Sequence, residues 1–443
     1  MKKYKSAVEK HRQLIIDAQN YIWANPETGY REVKTSKYME EAFEKLGYEI
    51  TRAEGIPGFY TVIDTGREGP EVLVLGELDS LICPEHPDAD KQTGAVHCCG
   101  HSAQAAALLG IAAALKEPHI LDDLSGRIRL CAVPAEELIE IEYRAELKKS
   151  GKVRYFGGKT EFLYRGYFDG VDIAFMVHTQ SGKTFSISKG SIGCMTKKIT
   201  YKGVSAHAGG SPWNGINALY AANLGLSAIN SLRETFREKD LIRVHPIIKN
   251  GGAAVNAIPD NVVIESYVRG ANFEAIREAN LKVNRALIGA ALSLGANVDI
   301  NDAPGYAPLV NSADMIDVAK EAGDLMGEYN CEIEDRIGTG CTDMGDLTQL
   351  MPAVHPYAPG ATGKSHGSDY YIADPELACV QCARWQLNML HLLLCDGAKR
   401  AKEIIENFTP TFKTKKEYFE MIDSFYCEGD RIEYNEDSAK ITL

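Results

Sequence analysis

Residues 71–80 read EVLVLGELDS, and this stretch decides the fold. An unbroken apolar run of strand length ending in acid is the pattern of a strand buried on both faces, with its C-terminal end turning polar. The same pattern recurs in RIRLCAVPAEE (127–137) and VDIAFMVHT (171–179), and the Ala-rich AQAAALLGIAAALK (103–116) lies between as a helix. Buried strands alternating with helices predict an α/β layered domain with a mostly parallel sheet. Upstream, the first fifty residues read as helix, turn, helix; Thr35 or Ser36 is the expected N-cap of the second helix and Gly47 its terminator.

From about Gly193 the texture changes. CMTKKITYKG alternates apolar and polar residues, followed by a helical stretch (214–234), strands IRVHPIIKN and NVVIESYVRG, a second helix (272–295) and a last strand, NVDIND. This β-α-β-β-α-β order is the split unit of ferredoxin-like domains. It predicts an inserted domain over 191–305 within a discontinuous first domain, 1–190 and 306–410, with a charged tail, 411–443, left unassigned.

At 443 residues the chain is long enough for two domains. Forty-eight basic against 61 acidic side chains leave a net charge of −13, which argues against nucleic acid and anionic membrane as partners. No apolar stretch has signal-peptide or membrane-span character. The 11 cysteines are scattered through apolar segments, as suits a reducing cytoplasm. Cys379 and Cys382 fall in a long apolar helical run and read as core.

The chemistry collects at strand ends, where open α/β sheets place their sites. Glu77 and Asp79 follow one strand, Glu136 and Glu137 a second, His178 a third, and Cys99 with His101 open the Ala-rich helix in HCCGHSAQ (97–104). His366 sits late, in the Gly-flanked GKSHGSDYY. Thiolate, imidazole and carboxylate together are the donor set of a borderline divalent ion such as Zn²⁺ or Mn²⁺. A metal hydrolase also needs a carboxylate that takes a proton from water and passes it to the leaving amine. Adjacent Glu136 and Glu137 point in different directions past a strand end and could divide these tasks.

The ordered set ANPETGYREVKTS, LGELDSL, HCCGHSAQAAALLG, VPAEE, VHTQSG, SAHAGGSPWNGINAL, NAIPDNV with its following Arg269, and SHGSDY resembles the M20 family of metallopeptidases. Within it the chain is most similar to the amidohydrolase subfamily of aminoacylases, aminobenzoyl-glutamate hydrolases and β-alanyl dipeptidases. The resemblance spans about residues 10–400. It implies a zinc-peptidase-like catalytic domain with an inserted dimerisation domain, and one or two Mn²⁺ or Zn²⁺ ions held by Cys99, His101, Glu137, His178 and His366. Glu136 becomes the general base, Asp79 orients a ligand, and His207 reaches a partner subunit's active site to polarise the scissile carbonyl. Asn256 and Arg269 fall at substrate-side positions, where a guanidinium suits a carboxylate. The implied activity is cytoplasmic, metal-assisted hydrolysis of a small N-acyl amino acid, aryl-amino-acid conjugate or dipeptide by a homodimer or higher oligomer. The alternatives are a catalytically reduced member that binds metal and ligand without turnover and, less well, a thiol redox protein using Cys98 and Cys99. His355 is a second candidate for the late ligand, less well matched than His366.

Three departures stand out. Ser102 and Gln104 replace the family's Asp and His after Gly100, and Glu77 replaces an Asp. After Glu137 comes a charged insertion over 138–160, which reads either as a solvated surface helix or as a lid over the pocket.

Overall fold

The computed structural model describes residues 1–443, which form two compact units. The first comprises Met1–Ser191, Leu309–Gly338 and Thr342–Lys413; the second comprises Ile192–Pro308, Thr339–Cys341 and Thr414–Leu443.

The first unit is an α/β layer around a six-stranded sheet. Its strands run in the order Thr51–Arg52, Phe59–Asp64, Arg127–Val133, Glu71–Glu77, Ile173–Phe175, Ala353–Val354. The last four are mutually parallel and the first two antiparallel. Every residue of Glu71–Glu77 is buried, as its unbroken apolar run requires. The Ala-rich helix His101–Leu115 is also buried on all sides. Its small side chains let it pack closely against Arg12–Trp23, Glu71–Glu77 and Cys382–Leu394. Cys379 and Cys382 are both buried in this core. A second sheet pairs His178–Ser181 with Tyr357–Thr362, which in turn meets Phe185–Ser191 and Tyr371–Ile372.

Several elements differ from the reading of the sequence. The N-terminal region holds three helices, Lys2–Lys10, Arg12–Trp23 and Val33–Lys45. The third starts before Thr35 because Glu27, outside it, accepts the N–H groups of Lys34 and Thr35 at 2.9 and 3.0 Å. The run 171–179 divides into Ile173–Phe175 and His178–Ser181, which lie in different sheets. The charged 138–160 insertion is in part the expected surface helix, with Glu142, Ala145, Glu146 and Lys149 exposed, but it is anchored more deeply than a solvated helix would be. It contains the helix Ile141–Lys149 and the start of Gly158–Tyr164, and it buries both Arg144 and Lys159 completely.

The second unit has an antiparallel sheet in the order Arg243–Val244, Asn261–Gly270, Gly193–Lys202, Asn297–Pro304, with Ile247–Asn250 also on Asn261–Gly270. Helices Ala218–Ser231 and Phe273–Ser293 pack on it, N-capped by Asn217 and Asn272. IRVHPIIKN forms two short strands, interrupted at Pro246, which has no N–H to give the ladder. Beyond Lys413, the helix Lys415–Asp423 leads to a segment on the free edge of Asn297–Pro304. There Asp302 N donates to Cys427 O at 2.8 Å and Arg431 N to Val298 O at 2.9 Å. The tail thus covers a sheet edge that would otherwise be open.

Candidate metal centre

The parallel strands of the first unit end side by side, and their polar ends converge. Glu77 closes one strand and Asp79 follows it; Ala135 and the two glutamates follow Arg127–Val133; His178 opens the strand beyond Ile173–Phe175. Two features aim these groups. Gly100, at φ +96°, turns the chain into the Ala-rich helix between Cys99 and His101. Ala135, at φ +59°, turns it just before Glu136, with its N–H donating to Glu32 Oε1 at 2.7 Å. Non-glycine residues in this region are strained and collect at functional sites. His366, also left-handed at φ +64°, is pinned by its N–H to Cys98 O at 2.9 Å.

Asp79 organises the cluster. Its backbone oxygen and Oδ1 face His101 Nδ1 at 2.9 and 3.1 Å, which turns Nε2 inward. Its Oδ2 accepts the Glu137 N–H at 2.8 Å. His178 Nδ1 is fixed by Thr179 O at 2.7 Å, and its Nε2 lies 3.3 Å from Cys99 Sγ. His366 Nε2 lies 3.2 Å from Glu137 Oε1. Three donor groups result, each with atoms within 4.8 Å of one another: Cys99, His101 and His178; Cys99, Glu137 and His366; Glu77, His101 and Glu136. The first two share the Cys99 sulfur. Apolar residues including Leu81, Val96, Ala361 and Tyr370 wall Cys98 and Cys99.

The electrostatics mark a cluster of anionic donors that draws protons onto its imidazoles, protons that a bound cation would displace. Burial and the Glu137 carboxylate push the Cys99 thiol up, but His101 and His178 outweigh them and bring it down to about 6, so the thiolate is favoured. Cys98 has no such neighbours, and burial raises it to about 12. Burial works against charge on His101, yet Glu77 and Cys99 hold its pKa well above the ordinary value. Burial would also raise Glu137, but His366 draws it down to about 2, and Glu137 in turn lifts His366 to about 11. Glu136 moves the other way: burial, then Glu77 and Glu137, hold its pKa well above the carboxylate range. His101 Nε2, Glu77 Oε2 and Glu137 Oε1 are buried without a hydrogen bond, although each faces a group of opposite character. Buried polar atoms left in that state call for a further partner, and a divalent cation fits this donor chemistry.

Eight of the residues singled out from the sequence therefore meet here: Glu77, Asp79, Cys99, His101, Glu136, Glu137, His178 and His366. His207, Asn256 and Arg269 belong to the second unit. His207 and Asn256 are exposed and joined by the Ala208 N–H to Asn256 O bond at 2.9 Å, while Arg269 stands opposite Cys194 in the sheet. His355 is buried and tied to Met176 O at 2.9 Å, outside the three donor groups. Ser102 Oγ and both amide atoms of Gln104 are buried without a protein hydrogen bond, and nothing in the structure explains these two replacements. Sequence reasoning missed Glu32, Lys159 and Asp343. Glu32 lay inside a quoted motif, whereas Lys159 and Asp343 carried no signal of their own.

Thiolate, imidazole and carboxylate donors at the ends of a parallel sheet, with a second carboxylate beside them, define a divalent-metal hydrolase. The chain belongs to peptidase family M20/M25/M40, whose sequence model matches residues 73–390, and it is a metal-dependent amidohydrolase. It is 28% identical over 346 residues to the Xaa-Arg dipeptidase of Mus musculus, covering 76% of this chain and 74% of that protein. It is 29% identical over 334 residues to the N-acetyl-L-cysteine deacetylase of Bacillus subtilis (strain 168), covering 72% and 73%. Its fold is similar to that of the Bacillus subtilis YXEP protein, a dinuclear metal-binding peptidase, with a TM-score of 0.65 at 21% identity over 87% of this chain and 99% of that one.

Proposed function

We propose that the protein hydrolyses the amide bond of a small N-acyl amino acid, aryl-amino-acid conjugate or dipeptide. Cys99, His101, Glu137, His178 and His366 hold one or two divalent ions, Mn²⁺ or Zn²⁺, and Glu136 is the general base. The observation that carries this reading is the pair of donor groups sharing Cys99, with Glu136 Oε2 3.9 Å from His101 Nε2. The similarity to a dipeptidase and to a deacetylase of an N-acyl amino acid supports the substrate class.

The bound cation supplies Lewis acidity for ionising water and polarising the carbonyl. The protein supplies the rest. Glu136, buried and held above the carboxylate range, accepts the proton of the attacking water and returns it to the departing nitrogen. Asp79 fixes the tautomer of His101 by engaging Nδ1. His207 donates to the carbonyl oxygen from a second copy, and Asn256 and Arg269 hold the substrate carboxylate. A homodimer formed through the second unit is supported by apolar side chains exposed on it, among them Trp213, Tyr220, Ile247 and Ile248.

The test is a hydrolysis screen over N-acyl amino acids, aminobenzoyl-glutamate, β-alanyl dipeptides and Xaa-Arg dipeptides, with Mn²⁺ or Zn²⁺ added. Turnover of at least one class is expected, and Glu136→Gln should keep its metal while losing about 10²–10⁴-fold in kcat. Near-normal activity of that variant would sink the assignment of the base.

A further inference from the structure

The segment following Glu137 is rich in charge, yet two of its cations are among the most deeply buried side chains of the chain. Arg144 turns its guanidinium onto backbone oxygens. Nη1 donates to Ala135 O at 3.2 Å and to Phe156 O, and Nη2 donates to Glu137 O. The carbonyls of Ala135 and Glu137 bracket Glu136, so one planar fork grips the turn on both sides of it. The slot is closed on its far side by Gly29, where a Cβ would stand 2.4 Å from Nη2.

Lys159 works on the neighbouring strand. Its ammonium bridges Glu77 Oε1 and Asp343 Oδ1, and its backbone N–H donates to Asp343 Oδ2 at 2.7 Å. The other Glu77 oxygen lies 3.2 Å from His101 Nε2, within the group that also includes Glu136. Held at one oxygen by Lys159, Glu77 keeps the second directed at the centre.

Burying charge is costly, and well-packed apolar residues of similar volume often stabilise a core as well or better. A surface helix anchored through apolar side chains alone would need neither cation buried. What the two cations supply is fixed geometry at the atoms flanking Glu136 and Glu77. We infer that Arg144 and Lys159 are positioning residues for amide hydrolysis: Arg144 holds the peptide groups around the general base, and Lys159 holds Glu77 against His101. The inference rests on the reading of Glu136 as that base.

The experiment uses the metal-loaded full chain and the substrate turned over fastest in the screen above. Arg144→Lys and Lys159→Met are compared with wild type for kcat, KM, bound metal and melting temperature, assayed well below melting. Arg144→Lys keeps the charge but loses the fork, and should lower kcat by 10-fold or more, with KM within threefold and metal content unchanged. Lys159→Met should do the same. Its effect should be non-additive with Glu77→Gln, because the double variant removes one pair rather than two independent groups. Should Lys159→Met fail to fold, the triple variant Lys159→Met/Glu77→Gln/Asp343→Asn, which removes all three charges, is measured instead. It should fold and show the same kcat loss. Folded, metal-replete variants with kcat within twofold of wild type would overturn the inference, as would losses explained by missing metal. If wild type turns over nothing in the screen, or Glu136→Gln is active, the underlying reading fails instead.

Discussion

Cys99 is the residue on which both inner donor groups depend, since its sulfur belongs to each. Replacing it by Ser exchanges a thiolate for a hydroxyl that stays protonated at neutral pH, so Cys99→Ser should retain under half the metal of wild type after dialysis, read by elemental analysis. His355 offers a different test. Burial, with His178 beside it, lowers its pKa from 6.5 to about 3, so the folded protein keeps it neutral where an unfolded chain would be protonated. Its contribution is full above about pH 6.5 and is lost progressively as pH falls toward 3. Denaturant unfolding from pH 7 to 4 should therefore show declining stability, with a shallower decline in His355→Gln. The donors were legible as residues because Cys, His and paired Glu at strand ends have few other reasons to cluster. Lys159 and Asp343 were not, because a lysine in a charged run reads as solvated until tertiary packing encloses it.

At the scale of elements, two short turns do most of the aiming. Gly100 reaches φ +96°, and a Cβ there would meet Tyr370 Oη at 2.5 Å and Thr179 Cβ at 3.0 Å. Gly100→Ala should cost about 1–3 kcal/mol from the backbone alone and more from the clash. A lowered melting temperature and weaker metal retention should appear together, because the helix start and two donors share this turn. Strands and helices with strong patterns were readable: the buried run 71–77 and the Ala-rich helix stand where periodicity places them. Boundaries set by distant side chains were not. The helix Val33–Lys45 begins before Thr35 through Glu27, and the helix of the insertion packs a face on which Arg144 is buried between Ile141 and Leu147, where a cation reads as solvated.

For the whole molecule, the alternation of buried strands and helices was enough to foresee an α/β unit, and the change of texture near Gly193 marks where a second sheet begins. The C-terminal segment was opaque because its role is to cover a strand edge more than a hundred residues earlier, at Asn297–Pro304. Removal of metal by a chelator should abolish activity while leaving a folded protein, and added Mn²⁺ or Zn²⁺ should restore it, followed by circular dichroism and turnover in parallel. On the proposal of a homodimer in which His207 serves the second copy, Trp213→Asp with Tyr220→Asp should shift the protein toward monomer in sedimentation and reduce turnover. The layout of the first unit also sets a timetable for biosynthesis. Of the five proposed ligands, four lie between Cys99 and His178, and the fifth, His366, follows the entire 192–308 excursion. On that assignment, a nascent chain still short of residue 366 already carries the Cys99, His101 and His178 group, while the group of Cys99, Glu137 and His366 is completed only later in synthesis.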